Sequence, residues 1–158
     1  MRIGHGVDAH RFAAGRPLML GGVHIPHPAG LEGHSDGDAV CHALCDAVLG
    51  AAGLGDLGRH FPSSDDRWRG AAGVDLLGHV ACLARAAGWQ VASAHVVVVA
   101  EAPRLAGHTP AMGAALAEAL GVSLARVAVS ATSTDGMGFT GRGEGIAASA
   151  VVLLAPIS

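Results

Sequence analysis

The chain has 158 residues, a length that suits one domain built around a single hydrophobic core. Its net charge of -3 and pI near 6.3 give no general reason to expect nucleic-acid or membrane-surface binding. All ten basic side chains are arginine and tyrosine is absent, so enzymes with a catalytic lysine, a Walker-type lysine or a tyrosine acid are excluded.

No segment has the pattern of a secretion signal or a membrane span. Residues 1–5 lack the apolar run of a signal peptide. The longest apolar stretches, 96–100 and 147–155, are strand-sized and too short to cross a bilayer. Three cysteines, an odd number, argue against a disulfide framework. We therefore expect a soluble, cytoplasmic protein.

The first half of the chain predicts short strands followed by a helix. The strands are expected at residues 2–7, 18–20 and 23–25. The pair Gly21-Gly22 is typical of a tight hairpin turn. Apolar residues recur every four positions over 38–52, which predicts a helix with Asp36 as its N-cap. Residues 56–66 are expected to form a loop, because Gly, Pro and Ser interrupt them.

The second half predicts two more helices and a set of longer strands. Helices are expected at 73–87 and 110–120, each followed by a glycine. Strands are expected at residues 89–100, 126–131 and 147–154. Four consecutive valines, 96–99, indicate a central strand covered on both faces. We therefore predict an α+β fold, a single domain over residues 1–158 in which a mixed β-sheet has helices on one face in a two-layer sandwich.

Asp8, His10 and His42 form a candidate metal site. Residues two apart on a strand point to the same face, so Asp8 and His10 can reach one ion, which His42 approaches from another element. One carboxylate and two imidazoles leave a coordination position open, as in catalytic zinc sites and two-His-one-carboxylate iron sites. The alternative is coincidence, because the motif is short and the chain has ten histidines.

Other residues of the same helix bear on this site. Asp38, His42 and Asp46 share one stripe, so either carboxylate can accept the other ring N–H of His42; the alternative is a solvated polar stripe. Cys41 and Cys45 are a competing metal pair by spacing, but they are more typical of small buried residues.

Residues 34–38 lead directly into this helix, so backbone N–H groups at its N-terminus lie near His42 and favour a phosphate there. The alternative is that Asp36 or Asp38 caps the helix and repels anions.

Residues 136–141 satisfy the pattern G-x-G-x-x-G, but the element predicted next is a strand, whereas dinucleotide binding requires a helix. These glycines instead indicate a tight connection or a close subunit contact.

Several motifs follow one another at a specific spacing between Met1 and about Leu154. They are Arg2-Ile3-Gly4-His5-Gly6, Asp8, His10, His34-Ser35-Asp36-Gly37-Asp38, His42, Gly55-Asp56, Phe61-Pro62, Ala102-Pro103 and Gly138-Phe139-Thr140-Gly141-Arg142-Gly143-Glu144-Gly145. In these motifs the chain resembles the 2-C-methyl-D-erythritol 2,4-cyclodiphosphate synthase family, lyases of the non-mevalonate isoprenoid pathway.

The resemblance implies a homotrimer whose sheets face inward, with each active site shared between neighbouring subunits. It implies the substrate 4-diphosphocytidyl-2-C-methyl-D-erythritol 2-phosphate, whose 2-phosphate attacks the β-phosphorus. The products are 2-C-methyl-D-erythritol 2,4-cyclodiphosphate and CMP. The implied cofactors are Zn²⁺, or another divalent transition metal, at Asp8, His10 and His42, and Mg²⁺ or Mn²⁺ with the substrate diphosphate.

The resemblance also assigns roles to individual residues. The catalytic residues that it implies are His34, Ser133 and Asp135. The substrate-binding residues that it implies are Asp8, Ala9, His10, His34, Ser35, Asp56, Leu57, Gly58, Phe61, Pro62, Ser63, Ser64, Asp65, Ala100, Glu101, Ala102, Pro103, Arg104, Leu105, Ala106, Thr132, Ser133, Thr134, Asp135, Phe139 and Arg142. Phe139 and Arg142 are expected towards a central cavity of the trimer, where this family can carry an isoprenoid-like ligand.

Three departures from the family pattern affect these assignments. Ser133-Thr134-Asp135-Gly136 stands where the family usually has Thr-Thr-Glu-Lys, so the shorter Asp135 is expected to contact magnesium through water. Ser63 replaces a common Asp, which weakens the inferred erythritol contact, and Arg104 replaces a frequent Lys. None of these changes removes a predicted zinc ligand.

The chemistry of the implied reaction fits a chain without lysine. A phosphate monoester is mostly dianionic at neutral pH and is already a nucleophile, so alignment and charge neutralisation dominate. Two rival hypotheses remain. A metal-bound water could hydrolyse a phosphoester to a linear product, or the chain could be a trimeric metal- or isoprenoid-binding module without turnover.

Overall fold

The computed structural model describes all 158 residues and contains a mixed five-stranded sheet and a two-stranded hairpin. The strands are β1 (Arg2–Ala14), β2 (Leu18–Leu20), β3 (Val23–Ile25), β4 (Ala29–Leu31), β5 (Trp89–Val99), β6 (Val127–Thr132) and β7 (Gly145–Pro156). The large sheet has the order β4-β1-β7-β5-β6, and β2 pairs with β3 alone. Only the β5–β6 pair is parallel.

Three long helices and two single-turn helices complete the fold. They are α1 (Ala39–Ala52), α2 (Leu57–His60), α3 (Gly73–Ala86), α4 (Thr109–Leu120) and α5 (Gly138–Gly141), with 3₁₀ turns at Asp66–Trp68 and Leu124–Arg126. The longest helices have 14 residues, and none combines the length and apolar character needed to span a bilayer.

The helices cover one face of the sheet. Alternate residues of β7, from Ile146 to Leu154, are buried in the same 36-residue hydrophobic cluster as α1, α3 and α4. On the opposite face Val151 is 48% exposed. A mixed α+β fold with helices on one face is therefore confirmed.

The valine run forms part of a central strand, as predicted, because β5 lies between β7 and β6. Val96 and Val98 are fully buried, whereas Val97 and Val99 are only half-buried. The expected cover on both faces is therefore incomplete in the single chain. The outward face of β5 has no helix packed on it.

Most of the predicted elements are present, but they begin or end at different residues from those predicted. β1 and β7 extend beyond their apolar patterns because they pair with each other continuously from Arg2 to Arg11. β4 was missed, since its Ala-Gly-Leu sequence has little strand propensity and forms by pairing with Phe12–Ala14. Residues 56–66 are not all loop: Asp56 caps α2 by accepting a hydrogen bond from the backbone N–H of Arg59 at 3.0 Å.

The predicted cap of the first helix is wrong by two residues. Asp38, rather than Asp36, is the N-cap of α1, and its carboxylate accepts a hydrogen bond from the Cys41 N–H at 3.0 Å. The Asp36 carboxylate instead accepts from the backbone N–H groups of Asp38 and Gly73, both at 3.0 Å. Both acids are good capping residues, and the tertiary contact with Gly73 decides between them.

Two glycines of β1 let α1 lie directly against the strand. A Cβ atom on Gly6 would overlap the carbonyl oxygen of Ala43 and lie 2.7 Å from the backbone nitrogen of Ala47. A Cβ on Gly4 would overlap the Ala47 carbonyl oxygen in the same way. The backbones of β1 and α1 therefore approach more closely than any larger residue at these positions permits.

We expect Gly6→Ala to lower the free energy of unfolding by roughly 1–3 kcal/mol, because the added methyl group meets backbone atoms that cannot rotate away. Urea denaturation followed by circular dichroism measures the change. Gly50→Ala is the matched control in α1: nothing lies within 4 Å of its added methyl group, so stability should rise by about 0.5–1 kcal/mol. Equal stability of Gly6→Ala and the wild type would contradict the close-packing argument.

Candidate metal centre and substrate pocket

Asp8, His10 and His42 converge where β1 faces α1. Their ligand atoms all lie within 4.8 Å of one another. The Asp8 Oδ2 atom is 2.6 Å from His10 Nε2 and 3.2 Å from His42 Nδ1, and the two ring nitrogens are 3.2 Å apart. The prediction that these three side chains form one group is confirmed.

The remaining ring nitrogens of both histidines are fixed by neighbouring groups. His10 Nδ1 donates to the Glu32 carbonyl oxygen at 2.6 Å, and His42 Nε2 shares a 3.0 Å hydrogen bond with Ser35 Oγ. Each imidazole is thus oriented with its other nitrogen towards Asp8. This is the usual arrangement around a metal-binding histidine.

Neither of the two alternatives for Asp38 and Asp46 holds, because these acids neither orient His42 nor form a solvated stripe. Asp38 is fully buried, and its carboxylate accepts hydrogen bonds from the N–H groups of Gly21 and Gly22 at 2.9 and 2.8 Å. Asp46 accepts from the Leu57 N–H at 2.7 Å. Both carboxylates therefore hold loops against α1. The hydrogen bond that orients His42 comes instead from Ser35.

The electrostatic surroundings favour a cation. Burial acts to raise the pKa of Asp8, but hydrogen bonds and charge from His10 and His42 outweigh it and lower that pKa to about 2. Burial would lower the pKa of His10, and its contact with Asp8 instead raises it. Burial, with the charge of Asp38, raises the pKa of Asp36. A fully charged Asp8, with the charges of Asp38 and Asp36 acting on His10 and His42, attracts a metal ion.

A cavity of about 180 Å³ opens beside the three residues. The lining residues are His10, His34, Ser35, His42, Leu57, Phe61, Ser63, Trp68 and Leu76. Seven of these were predicted for substrate or metal, and Trp68 and Leu76 were missed. Trp68 packs edge-on against Phe61 with ring centroids 4.8 Å apart. Trp68 could have been found from the sequence, because it is an aromatic residue that follows closely after the Phe-Pro motif. Leu76 could not, because it resembles any core position of a helix.

Five other residues that were predicted for this pocket, from 56–58 and 61–65, do not line this cavity. Those residues are Asp56, Gly58, Pro62, Ser64 and Asp65. Asp65 nevertheless contacts the site, because its carbonyl oxygen accepts a 3.3 Å hydrogen bond from His34 Nε2. Its half-buried carboxylate pairs with Arg67 at 2.7 Å, which holds the pKa of Asp65 below its usual value.

A second cavity of about 290 Å³ lies at the ends of β5 and β6. The lining residues are Ala100, Glu101, Pro103, Arg104, Leu105, Ala106, Ala131, Thr132 and Ser133, all but Ala131 predicted for substrate. Ala102 is not among them. Nearby, Ser133 Oγ donates to Asp135 Oδ1 at 3.3 Å, and the Gly136 N–H donates to Glu101 Oε2 at 3.4 Å. The two segments predicted to hold the nucleotide are therefore neighbours, although Thr134 of the second segment does not line this cavity.

Ala9 and Phe139 line a third cavity of about 210 Å³ together with His10, Arg11, Glu144 and Gly145. Phe139 is 44% exposed. Arg142 is not in this lining and pairs with Glu144, the Arg142 Nε atom lying 2.9 Å from Glu144 Oε2. Phe139 in α5 and Arg142 directly after α5, the two residues predicted towards a central cavity, thus lie before β7 on the exposed surface of the chain.

The metal group and the second cavity are separate in one chain. Asp8 pairs with Ala148, Ala148 with Val98, and Val98 with Ala131. Three strand spacings of about 4.8 Å place Asp8 roughly 14 Å from Ala131 across the sheet. The two cavities have no lining residue in common.

Comparison with known proteins gives consistent matches over the whole chain. The profile of the YgbB family matches residues 1–155. A Chromohalobacter salexigens protein named 2-C-methyl-D-erythritol 2,4-cyclodiphosphate synthase is 56% identical over 99% of this chain and 96% of its own length. A solved 2C-methyl-D-erythritol-2,4-cyclodiphosphate synthase in a CDP-bound form has a TM-score of 0.88 at 40% identity, covering 98% of this chain and 100% of that one. The bifunctional IspDF from Campylobacter jejuni has a TM-score of 0.95 at 39% identity over 99% of this chain, which spans 42% of that longer chain.

We expect Ser35→Ala to weaken Zn²⁺ binding by about 10- to 100-fold, because His42 loses the partner that orients its ring. Isothermal titration of the metal-free protein with Zn²⁺ measures the affinity. Ser63→Ala is the matched control, since Ser63 lines the same cavity but has no hydrogen bond with either histidine. Unchanged Zn²⁺ affinity in Ser35→Ala would show that Ser35 does not support the metal site.

Proposed function

The chain belongs to the YgbB family and has the function of its cyclodiphosphate synthases, and we propose that it works as a metal-dependent homotrimer with active sites between subunits. It converts 4-diphosphocytidyl-2-C-methyl-D-erythritol 2-phosphate to 2-C-methyl-D-erythritol 2,4-cyclodiphosphate and CMP in non-mevalonate isoprenoid precursor biosynthesis. The observation that carries the proposal is the convergence of Asp8, His10 and His42 at a cavity containing His34 and Ser35.

The donor set at β1 and α1 fits a divalent transition metal ion, which we assign as Zn²⁺ or a similar ion. One carboxylate and two oriented imidazoles are the protein ligands of many catalytic zinc sites. The bound ion would supply positive charge that polarises a phosphate oxygen of the substrate. Asp8, His10 and His42 would hold this ion at one edge of the cavity.

The groups beside the metal centre bind and orient the reacting phosphate. The 2-phosphate is mostly dianionic at neutral pH, so no residue of this chain has to act as a strong general base. We assign His34 and Ser35 to contact the phosphate and the erythritol unit. Leu57 and Phe61 form an apolar wall of the cavity and limit access of water. Catalysis then depends on alignment for in-line attack.

The second cavity is proposed to bind the cytidine and diphosphate groups. Arg104 places a positive side chain there, and Ser133 offers a hydroxyl donor. Asp135 is exposed near that hydroxyl and is assigned to the Mg²⁺ or Mn²⁺ that accompanies the substrate diphosphate, through a water molecule. We therefore assign two tasks to different segments of the chain. One segment neutralises the charge of the diphosphate, and the other aligns the reacting 2-phosphate.

The open sheet face supports the proposed homotrimer. Ile3, Val7 and Val151 are 75%, 61% and 48% exposed and lie on the same face of β1 and β7. Exposed apolar side chains on an open sheet face are typical of an interface between subunits, and the polar His5 and His95 lie beside Val151 on the same face. Trimer assembly would also bring the metal cavity of one copy towards the nucleotide cavity of another. We further assign Phe139 and Arg142 to an isoprenoid-like ligand in the central cavity.

The cyclase activity is tested by identifying the products of the purified protein with the cytidyl substrate, Zn²⁺ and Mg²⁺. We expect ³¹P NMR to show a cyclic diphosphate and chromatography to show an equal amount of CMP. His42→Ala should abolish CMP release and bound zinc, because one of three ligands is lost. His24→Ala, an exposed histidine of β3, is the control and should remain active. A linear phosphorus product would support the hydrolase hypothesis, and zinc binding without CMP release would support the binding-module hypothesis.

We expect Val151→Glu to dissociate the trimer, because a carboxylate from each of three subunits would be buried in the proposed interface. Sedimentation equilibrium should change from the mass of three 15.6 kDa chains to that of one. Leu83→Glu in α3, a leucine 36% exposed on the helical layer, is the matched control and should remain trimeric. A trimeric Val151→Glu protein would contradict the proposed use of this face.

A further inference from the structure

We propose that Arg16 is a positioning residue for His34 and Ser35, an inference that rests on the roles proposed above for those two side chains. Arg16 lies in the connection between β1 and β2, outside every motif that indicated function. Its guanidinium donates from Nη1 to the Gly33 carbonyl oxygen at 2.7 Å and from Nη2 to the Ser35 carbonyl oxygen at 2.5 Å. The two carbonyls that it holds are those on either side of His34.

Two further backbone groups of this segment are also held by residues outside it. The His34 carbonyl oxygen accepts from the Gly70 N–H at 2.8 Å, and the Asp36 N–H donates to the Ala71 carbonyl oxygen at 3.0 Å. Residues 33–36 belong to no helix or strand, so these contacts replace secondary structure in fixing the backbone. Arg16 supplies two of the four bonds.

The planar guanidinium suits this task better than any other side chain. Its two terminal nitrogens point in fixed directions and bind two acceptors at once, whereas an ammonium group acts as a single point charge. Gly33 and Ser35 are two residues apart, so one fork spans the backbone of His34. Arg16 thereby fixes the point from which the His34 side chain extends.

By holding this backbone, Arg16 affects both the support of His42 by Ser35 and the position of His34 in the metal cavity. Ser35 is held by Arg16 through its carbonyl oxygen and contacts His42 through its hydroxyl. His34 extends from the same anchored backbone towards the cavity. The cytidine and diphosphate contacts lie in the other cavity and do not involve Arg16. Loss of Arg16 should therefore impair the alignment of the reacting phosphate more than it impairs substrate binding.

Steady-state kinetics of Arg16→Ala, Arg16→Lys and Arg85→Gln test this proposal. We expect Arg16→Ala to lower kcat by about 10- to 100-fold with little change in KM, because misalignment affects the chemical step. Arg16→Lys keeps the charge but loses the fork and should retain only part of the activity. Arg85→Gln is the matched control, since Arg85 Nη1 donates to the Leu120 carbonyl oxygen at 2.9 Å away from both cavities, and it should keep the wild-type kcat.

Added guanidinium ion distinguishes positioning from general stability. Millimolar guanidinium chloride should restore part of the kcat of Arg16→Ala, have no such effect on Arg85→Gln, and leave the zinc content of all variants unchanged. If Arg16→Ala does not fold, Arg16→Lys tests the same proposal, and its kcat should fall with little change in KM. Wild-type kcat in Arg16→Lys or Arg16→Ala, or a raised KM with unchanged kcat, would overturn the role of Arg16 alone. A wild-type protein that forms no cyclic diphosphate would overturn the proposed function itself.

Discussion

Gly4 and Gly6 bring the backbone of α1 into direct contact with β1, since neither has a Cβ atom to hold the carbonyl oxygens of α1 away. The metal group depends on this approach. Asp8 follows Gly4 and Gly6 on the same face of the strand, because successive alternate residues point to one side. His42 directly precedes Ala43, whose carbonyl oxygen faces Gly6. The distance between strand and helix therefore sets the distance between the ligands.

The loops around the metal group are held mainly by carboxylates and backbone groups. Asp38 joins the β2–β3 turn to the start of α1, and Asp36 joins that same start to the N-terminus of α3 through Gly73. Asp38 is fully buried and Asp36 half-buried, and carboxylates removed from water in this way are stable only when hydrogen bonds satisfy their oxygens, as they do for both acids. Their negative charge also acts on the metal group, that of Asp38 on His10 and that of Asp36 on His42. The hydrogen bonds that order the loops thus contribute to the attraction of a cation.

Much of the fold and the metal group could be predicted from the sequence because both depend on local periodicity. Alternation on β1 places Asp8 beside His10, and the apolar rhythm of α1 identifies the helix that contains His42. The support of His42 by Ser35 could not be predicted, because it depends on the path of an irregular segment. The same holds for Trp68, which reaches the cavity through a 3₁₀ turn. Contacts between distant irregular segments leave no periodic signal.

The division of the site across the sheet connects activity to the proposed assembly. The metal group lies on β1 and α1, whereas the cavity at the ends of β5 and β6 is about three strand spacings away, roughly 14 Å, across the same sheet. Since cyclisation requires the 2-phosphate and the β-phosphorus to meet, the groups that hold them must be adjacent. A neighbouring copy can provide that adjacency without any change of fold. The open face with Ile3, Val7 and Val151 then has a catalytic consequence, because the contact that covers it would also complete the active site.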